Sequence, residues 1–107
     1  MTILRACYKS GVRFDEAYYV KIHCPLAASV MVPHGVTGIE VLKCGPNPDG
    51  SLPAYQVMFS AHFASPAALQ SAMQDARMGE VLADIPNFYD GMPDLMIGET
   101  IPVSIPA

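Results

Sequence analysis

The segment DEAYYVKIHCPL, Asp15–Leu26, begins as a helix should and then carries a proline well inside it. Asp15 suits an N-cap, where a carboxylate accepts an otherwise unpaired backbone N–H, and Phe14 before it can staple onto Tyr19. Ala17, Val20, Cys24, Ala27 and Met31 recur at helical spacing and are expected to form the buried stripe. Pro25 removes the N–H that would bond to Lys21, and its ring crowds that carbonyl. Cys24 is expected to be pushed away from helical angles in turn. The helix should therefore kink or restart near His23, and Pro33 and Gly35 should end it.

Tyr19 and His23 stand at i, i+4, so their side chains can meet on one side of this helix, at the flank of the stripe. Two readings fit. A half-buried imidazole beside a phenol can act as general acid or base near neutral pH. Alternatively, the histidine is structural, satisfied by a backbone carbonyl left free at a helix end. Pro25 supplies such carbonyls and would also re-aim His23.

Outward from this helix the chain alternates between strand and helix patterns. Thr2–Tyr8 reads as a first strand, Gly38–Gly45 as a second and Ala54–Ala64 as a third, the last two joined by the turn-rich PNPDGSLP. Ser65 and Pro66 form an N-cap and first-turn pair for a second helix with Leu69, Ala72, Met73 and Ala76 on its apolar face. Gly79 is expected to interrupt that helix, and EVLADI adds a short helical piece before Pro86. A fourth strand, Asp94–Ile101, precedes a proline-punctuated tail.

The order β-α-β-β-α-β is the ferredoxin-like split-βαβ pattern: an α+β fold with an antiparallel sheet and both helices on one face. Strand alternation puts Val57, Phe59, Ala61 and Phe63 on one side and Gln56, Met58, Ser60 and His62 on the other. Leu4 and Ala6, and Ile39 and Val41, join the first side. Ile3, Arg5 and Cys7, and Glu40, Leu42 and Cys44, join the second. The uniformly apolar side suits the helices. The mixed side suits the wall of a cavity between two sheets, as in a dimeric barrel, or else an open, wet face.

Composition narrows the function classes. At 107 residues the chain has room for one hydrophobic core. Half of it (51%) is hydrophobic and only 15% charged, against about 25% in an average domain; the surplus suits a subunit interface. A net charge of −4 without a basic cluster argues against nucleic acid or an anionic membrane as partner. The opening MTILRACYKSG is too short and too polar after Tyr8 for a signal peptide, and no apolar run approaches the roughly 18 residues of a membrane span. Three cysteines, Cys7, Cys24 and Cys44, without CxxC or His-paired spacing fit reduced thiols and a cytoplasmic location.

Other polar groups are fewer. His62 lies on the mixed face, as a cavity-wall residue or half of a cross-strand polar pair. His34, beside Pro33, is expected to be exposed and silent. The loop ADIPNFYD, Ala83–Asp90, is dense in polar groups that either cap helices or edge a cavity. Cys7 and Cys44 read as buried fillers, since no basic neighbour would depress their pKa. No metal-ligand spacing, phosphate-cradling loop or nucleotide fingerprint appears, so no cofactor or metal is expected.

FDEAYYVKIHCPL, followed about 60 residues later by LADIPNFYDGMP, resembles the EthD-like family of small dimeric α+β barrel proteins. The first motif matches in Asp15, Tyr18, Tyr19, His23, Pro25 and Leu26, and the second in Asp84, Ile85, Pro86, Asn87 and Pro93. With YQVMFSAHFAS between them, the resemblance spans nearly the whole chain, residues 1–107, as a single EthD-like domain. It implies a homodimer. It also implies a catabolic role, since the founding member is tied to ether-fuel degradation beside an oxygenase system. The wider superfamily includes lactone isomerases, polyketide cyclases or decarboxylases and cofactor-free monooxygenases, which use His, Tyr and acidic groups without a metal.

The expected activity is therefore that of a cofactor-independent isomerase or lyase for a small apolar or aromatic carbonyl compound. His23 would move a proton and Tyr19 would orient the substrate or donate to a developing oxyanion. Arg5 could anchor a carboxylate, with Glu40, Met58 and His62 on the cavity wall and Asp84 and Asn87 shaping the entrance. The alternative is a dimer that holds a hydrophobic ligand or supports an oxygenase without chemistry of its own. In the plainest case, His23 and Tyr19 hold only the fold or the dimer interface.

Overall fold

The computed structural model describes residues 1–106. Strands β1 (Thr2–Lys9), β2 (Val36–Lys43), β3 (Tyr55–Phe63) and β4 (Asp94–Glu99) form one sheet in the order β2-β3-β1-β4, every neighbouring pair antiparallel. This is the α+β, ferredoxin-like arrangement expected from the element order. The two most apolar strands, β1 and β3, hold the centre, where both edges find hydrogen-bond partners.

Cross-strand pairing fixes the faces, because directly opposed residues point the same way. Leu4 opposes Ala61 and Ile97, Ala6 opposes Phe59 and Leu95, and Tyr8 opposes Val57. This side carries the core: Leu4, Ala6, Tyr8, Val57, Phe59, Ala61 and Phe63 are all buried. On the reverse, a row runs Glu40–Ser60–Arg5–Met96 and a second Leu42–Met58–Cys7–Asp94. The helices cover only the first side, and mainly its centre. Ile39, Val41, Leu95 and Ile97 on the edge strands stay exposed. A register shift after Tyr8 takes Gln56 out of the alternation, and its amide caps the carbonyls of Lys9 and Val12.

The first helical arm begins as the sequence predicts. Asp15 accepts from the Tyr18 N–H, and the Phe14 and Tyr19 rings pack with centroids 4.9 Å apart. Helix α1, Glu16–Tyr18, then passes into a π-helical turn over Tyr19–His23, and α2 runs Cys24–Met31. Pro25 thus causes no break. The Cys24 N–H reaches back five residues to the Tyr19 carbonyl, and Cys24 keeps helical angles (φ −62°, ψ −44°). The wider turn seats the proline in the first turn of α2, where its missing N–H costs little.

The π turn also changes the phase of the helix, which corrects the expected stripe. Ala17 and Val20 are exposed, and the inward row is Tyr19, His23, Ala27, Val30 and Met31. The residues singled out for chemistry are themselves the buried ones. Gly35, in the left-handed region at φ 81°, closes the arm after a 3-10 turn over Val32–His34.

Helix α3, Pro66–Met73, is capped by Ser65, whose hydroxyl accepts from the Ala68 N–H. It stops well before Gly79, at Met73, and Ala76 is exposed. The Asp75 carboxylate accepts from the Arg77 N–H and lies 2.7 Å from His34 Nε2, so His34 is half-buried and hydrogen-bonded rather than exposed. Gly79 lies inside α4, Met78–Asp84, which leads into a 3-10 turn over Ile85–Asn87 that contains Pro86.

The loop after α4 is tied to the start of the first arm. The Asp15 N–H donates to the Phe88 carbonyl at 2.8 Å, and Arg13 reaches both Asp90 and the Pro86 carbonyl. Tyr8, Phe14, Tyr19, Phe88 and Tyr89 meet edge-on or tilted, with centroids 4.9–6.3 Å apart. Such pairs each add about 0.5–1.5 kcal/mol beyond their burial. The clamp holds the end of α4 against the π turn. No helix among the described residues is long and apolar enough to cross a membrane.

Candidate active site

The clamp brings together residues that lie far apart in sequence. His23 Nδ1 lies 3.0 Å from Asp84 Oδ2. The other carboxylate oxygen of Asp84 accepts from Tyr18 Oη at 2.5 Å and from Asn87 Nδ2 at 3.0 Å. Tyr18 and His23 are five residues apart, which on an α-helix of 3.6 residues per turn would set them about 140° from each other. The π turn lets one carboxylate take both. Composition gives no sign of a π turn, so the sequence marks Tyr18 as a motif position without assigning it a role. The five-residue spacing of two polar aromatic groups ahead of a proline is the only local hint.

A carboxylate can only accept, so the Nδ1 of a neutral His23 carries the proton and donates it, leaving a lone pair on Nε2. Burial lowers the His23 pKa below its ordinary 6.5, against the opposing pull of Asp84. The imidazole is therefore neutral at pH 7. Burial pushes the Asp84 carboxyl up, but hydrogen bonds from Tyr18, Asn87 and His23 outweigh it and hold the group below its ordinary value. Asp84 is accordingly an anion that fixes the tautomer of a neutral base. Among the described residues Nε2 has no hydrogen-bond partner.

Tyr19 and Phe88 hold the ring from its two sides. The Tyr19 ring stacks on the imidazole at 5.5 Å and 19°, and Phe88 lies 4.4 Å away at 54°. Tyr19 is 1% exposed, and among the described residues its hydroxyl has no hydrogen bond of good geometry. Tyr8 and Cys24 are its nearest polar neighbours. Burial drives the Tyr19 pKa far upward and that of Tyr8 up to about 12, so both phenols stay protonated and serve as donors.

His23, Tyr19 and Tyr8 line a cavity of about 70 Å³ between the helices and the sheet. The rest of its wall is apolar, drawn from Leu4, Phe59, Met31, Met78, Val81 and neighbouring residues. Asp84 and Asn87 stand behind His23, Asp84 partly buried and Asn87 exposed. Arg5, Glu40, Met58 and His62 lie on the other face of the sheet and do not meet His23. Arg5 Nε donates there to Ser60 Oγ at 3.1 Å. The candidate residues thus divide into a group under the helices and a group on the uncovered face. No cluster of three or more His, Cys, Asp or Glu side chains among the described residues is arranged to hold a metal ion.

The sequence of residues 13–92 matches the EthD domain, and these residues contain every member of the group under the helices. The chain belongs to the EthD family. An EthD-like protein from Ralstonia eutropha JMP134 superposes with a TM-score of 0.80 at 29% identity, over 92% of this chain and 89% of that one. An ethyl tert-butyl ether D (EthD) family protein from Bacillus halodurans C-125 gives 0.77 at 25% identity, over 94% and 99%. HapK from Hahella chejuensis shares the fold at 13% identity, with a TM-score of 0.62 over 100% and 99%. No curated protein matches the sequence. The EthD assignment accounts for the two spaced motifs: one supplies Tyr18, Tyr19 and His23, the other Asp84 and Asn87.

Proposed function

We propose that this EthD-family chain is a cofactor-independent enzyme that moves a proton on a small apolar or aromatic carbonyl compound, as an isomerase or lyase of catabolism. One observation carries the reading. His23 and Tyr19 line the same apolar cavity; among the described residues the Tyr19 hydroxyl is buried without a hydrogen bond of good geometry, and Asp84 takes Nδ1 of His23, which leaves Nε2 as the nitrogen for a ligand. Buried polar groups are normally paired, and an unpaired hydroxyl beside a histidine whose other nitrogen is already taken suits a ligand that pairs with both.

In the isomerase case the chemistry balances without a co-reactant. His23 Nε2 takes a proton from the carbon beside the substrate carbonyl, and the C–H electron pair becomes the enolate double bond. Tyr19 donates a hydrogen bond to the enolate oxygen, and Asp84 stabilises the imidazolium. The imidazolium returns the proton to another carbon, and His23 is neutral again. Asn87 and Tyr18 position Asp84 and touch no substrate.

The chain works as a homodimer in this reading, with the uncovered sheet faces apposed. Leu42 and Met96 are exposed there, and neither Arg5 nor Glu40 has an ion-pair partner among the described residues. Glu40, Met58 and His62 then belong to the seam between copies rather than to the proton-transfer site.

General base catalysis contributes about 10²–10⁴-fold. On a substrate found by screening, His23→Ala should lower kcat/KM by at least about a hundredfold, and a loss below about fivefold would sink the assignment. The mostly apolar wall also suits a non-catalytic carrier or an oxygenase accessory. That reading predicts that His23→Gln keeps its ligand affinity in a protein whose wild type has no turnover to lose.

A further inference from the structure

We infer that the ligand of this cavity has an uncharged polar head and an apolar body longer than the enclosed space, its far end leaving between α4 and β4. The inference rests on the reading of His23 and Tyr19 as the groups that meet the head.

The charge of the head follows from what is missing in the wall. Among the described residues no Lys or Arg side chain lines the cavity. An anionic head would be buried without a counter-charge and would face the Asp84 carboxylate behind His23, and such burial is costly. A cationic head fares no better, since both Asp84 oxygens are already held by Tyr18, Asn87 and His23. A hydroxyl or carbonyl head meets its needs from one donor, the Tyr19 hydroxyl, and one acceptor, Nε2.

The length of the body follows from the size of the cavity and its exit. About 70 Å³ is room for about two waters, enough for the head and the first carbons beside it. Continuing outward, the lining passes to Leu82, Met92 and Leu95, which are 45%, 61% and 51% exposed. These three form an apolar track from the cavity to solvent, with the helix on one side and the edge strand on the other. Met31, Met73, Met78 and Met92 lie along the same path. Their flexible thioether chains can repack around bodies of different lengths, so the site should tolerate length more than branching.

Isothermal titration of the purified chain with 4-ethyl-, 4-butyl- and 4-hexylphenol, and with the matching 4-alkylbenzoates and 4-alkylbenzylamines at pH 7.5, tests this. Phenol affinity should rise about fourfold per added methylene, the value of about 0.8 kcal/mol for each one buried. Benzoates and benzylamines should bind at least about thirtyfold more weakly than their phenols. Leu95→Glu and, as a second variant at an exposed position, Met92→Glu should flatten the length dependence. Affinity independent of chain length, benzoates as tight as phenols, or no binding of 4-hexylphenol at millimolar concentration would each overturn the inference. Repeating the series with His23→Gln separates the two readings. A length dependence that persists there with intact charge selectivity supports the ligand class even if His23 proves not to be a base.

Discussion

His23 Nδ1 and Asp84 Oδ2 lie 3.0 Å apart although 61 residues separate them in the chain. One end of this pair rides on a π turn and the other on the last residue of α4, locked together by the aromatic clamp. In the proposed mechanism Asp84 holds the proton of His23 on Nδ1. Asp84→Asn should therefore lower kcat by about 10²-fold or more on a substrate that His23 turns over. Tyr18→Phe, which leaves the carboxylate and its bonds to His23 and Asn87, should cost less than about tenfold. Steady-state kinetics on both variants check the order, and equal losses would contradict it.

The second expectation concerns pH. Burial lowers the folded-state pKa of His23 below the 6.5 of the unfolded chain. Between those two values the unfolded chain binds more protons, so stability rises with pH. The contribution is fully present above 6.5 and is lost as pH falls through the folded value. Asp84 is also held below its ordinary 3.8 and adds a second loss at still lower pH. Urea unfolding from pH 7.5 to 4.5 should show a decline beginning near 6.5, and His23→Gln should remove that part of the slope.

Tyr19 offers a test in which stability and function move in opposite directions. Among the described residues its buried hydroxyl makes no hydrogen bond of good geometry, with Tyr8 and Cys24 beside it, and a poorly paired buried hydroxyl costs on the order of 1 kcal/mol or more. Tyr19→Phe should therefore raise the unfolding free energy by about 1 kcal/mol while weakening binding of a phenol or ketone head about tenfold. Denaturant melts and titration measure the two effects separately. A destabilised variant would mean that the hydroxyl is paired in solution.

The uncovered sheet face carries the dimer proposal, and charge reversal checks it. Arg5 and Glu40 flank Ser60 in one cross-strand row. Face-to-face packing about a two-fold axis that runs along the strands beneath Ser60 would bring Arg5 of one copy near Glu40 of the other. Arg5→Glu or Glu40→Arg alone should weaken the dimer about tenfold or more in sedimentation equilibrium, and the double variant should recover most of it. A chain that stays monomeric at high micromolar concentration would contradict the dimer outright.

How far the sequence reaches is clear from particular residues. Alternation in β1 and β3 gave the two sheet faces, and Asp15 and Ser65 marked both helix starts, because these signals are local. Pro25 predicts a kink or restart near His23 but not its form, since a proline fixes what the backbone cannot do and not which remedy it adopts; here a π turn hands over to α2 at Cys24. The π turn then moved Ala17 and Val20 outward and Tyr19 and His23 inward. Gly79 does not break a helix, and the Asx turn at Asp75 does, held by the distant His34. Alternation already puts Arg5 on the face away from the helices; grouping it with His23 in one expected site needed a substrate spanning both, and the sheet between them keeps the two apart. The Asp84–His23 contact depends on the Phe14–Phe88–Tyr89 clamp, a tertiary event with no local signature.

The central claim is that His23 is a neutral base with its proton on Nδ1 and its lone pair in the cavity. Long-range ¹⁵N–¹H correlation spectra of the imidazole, recorded at pH 7 on the wild type and on Asp84→Asn, read this state directly. The account predicts an Nδ1–H tautomer in the wild type that loses its preference in the variant. An Nε2–H tautomer, or an imidazolium at pH 7, would contradict it.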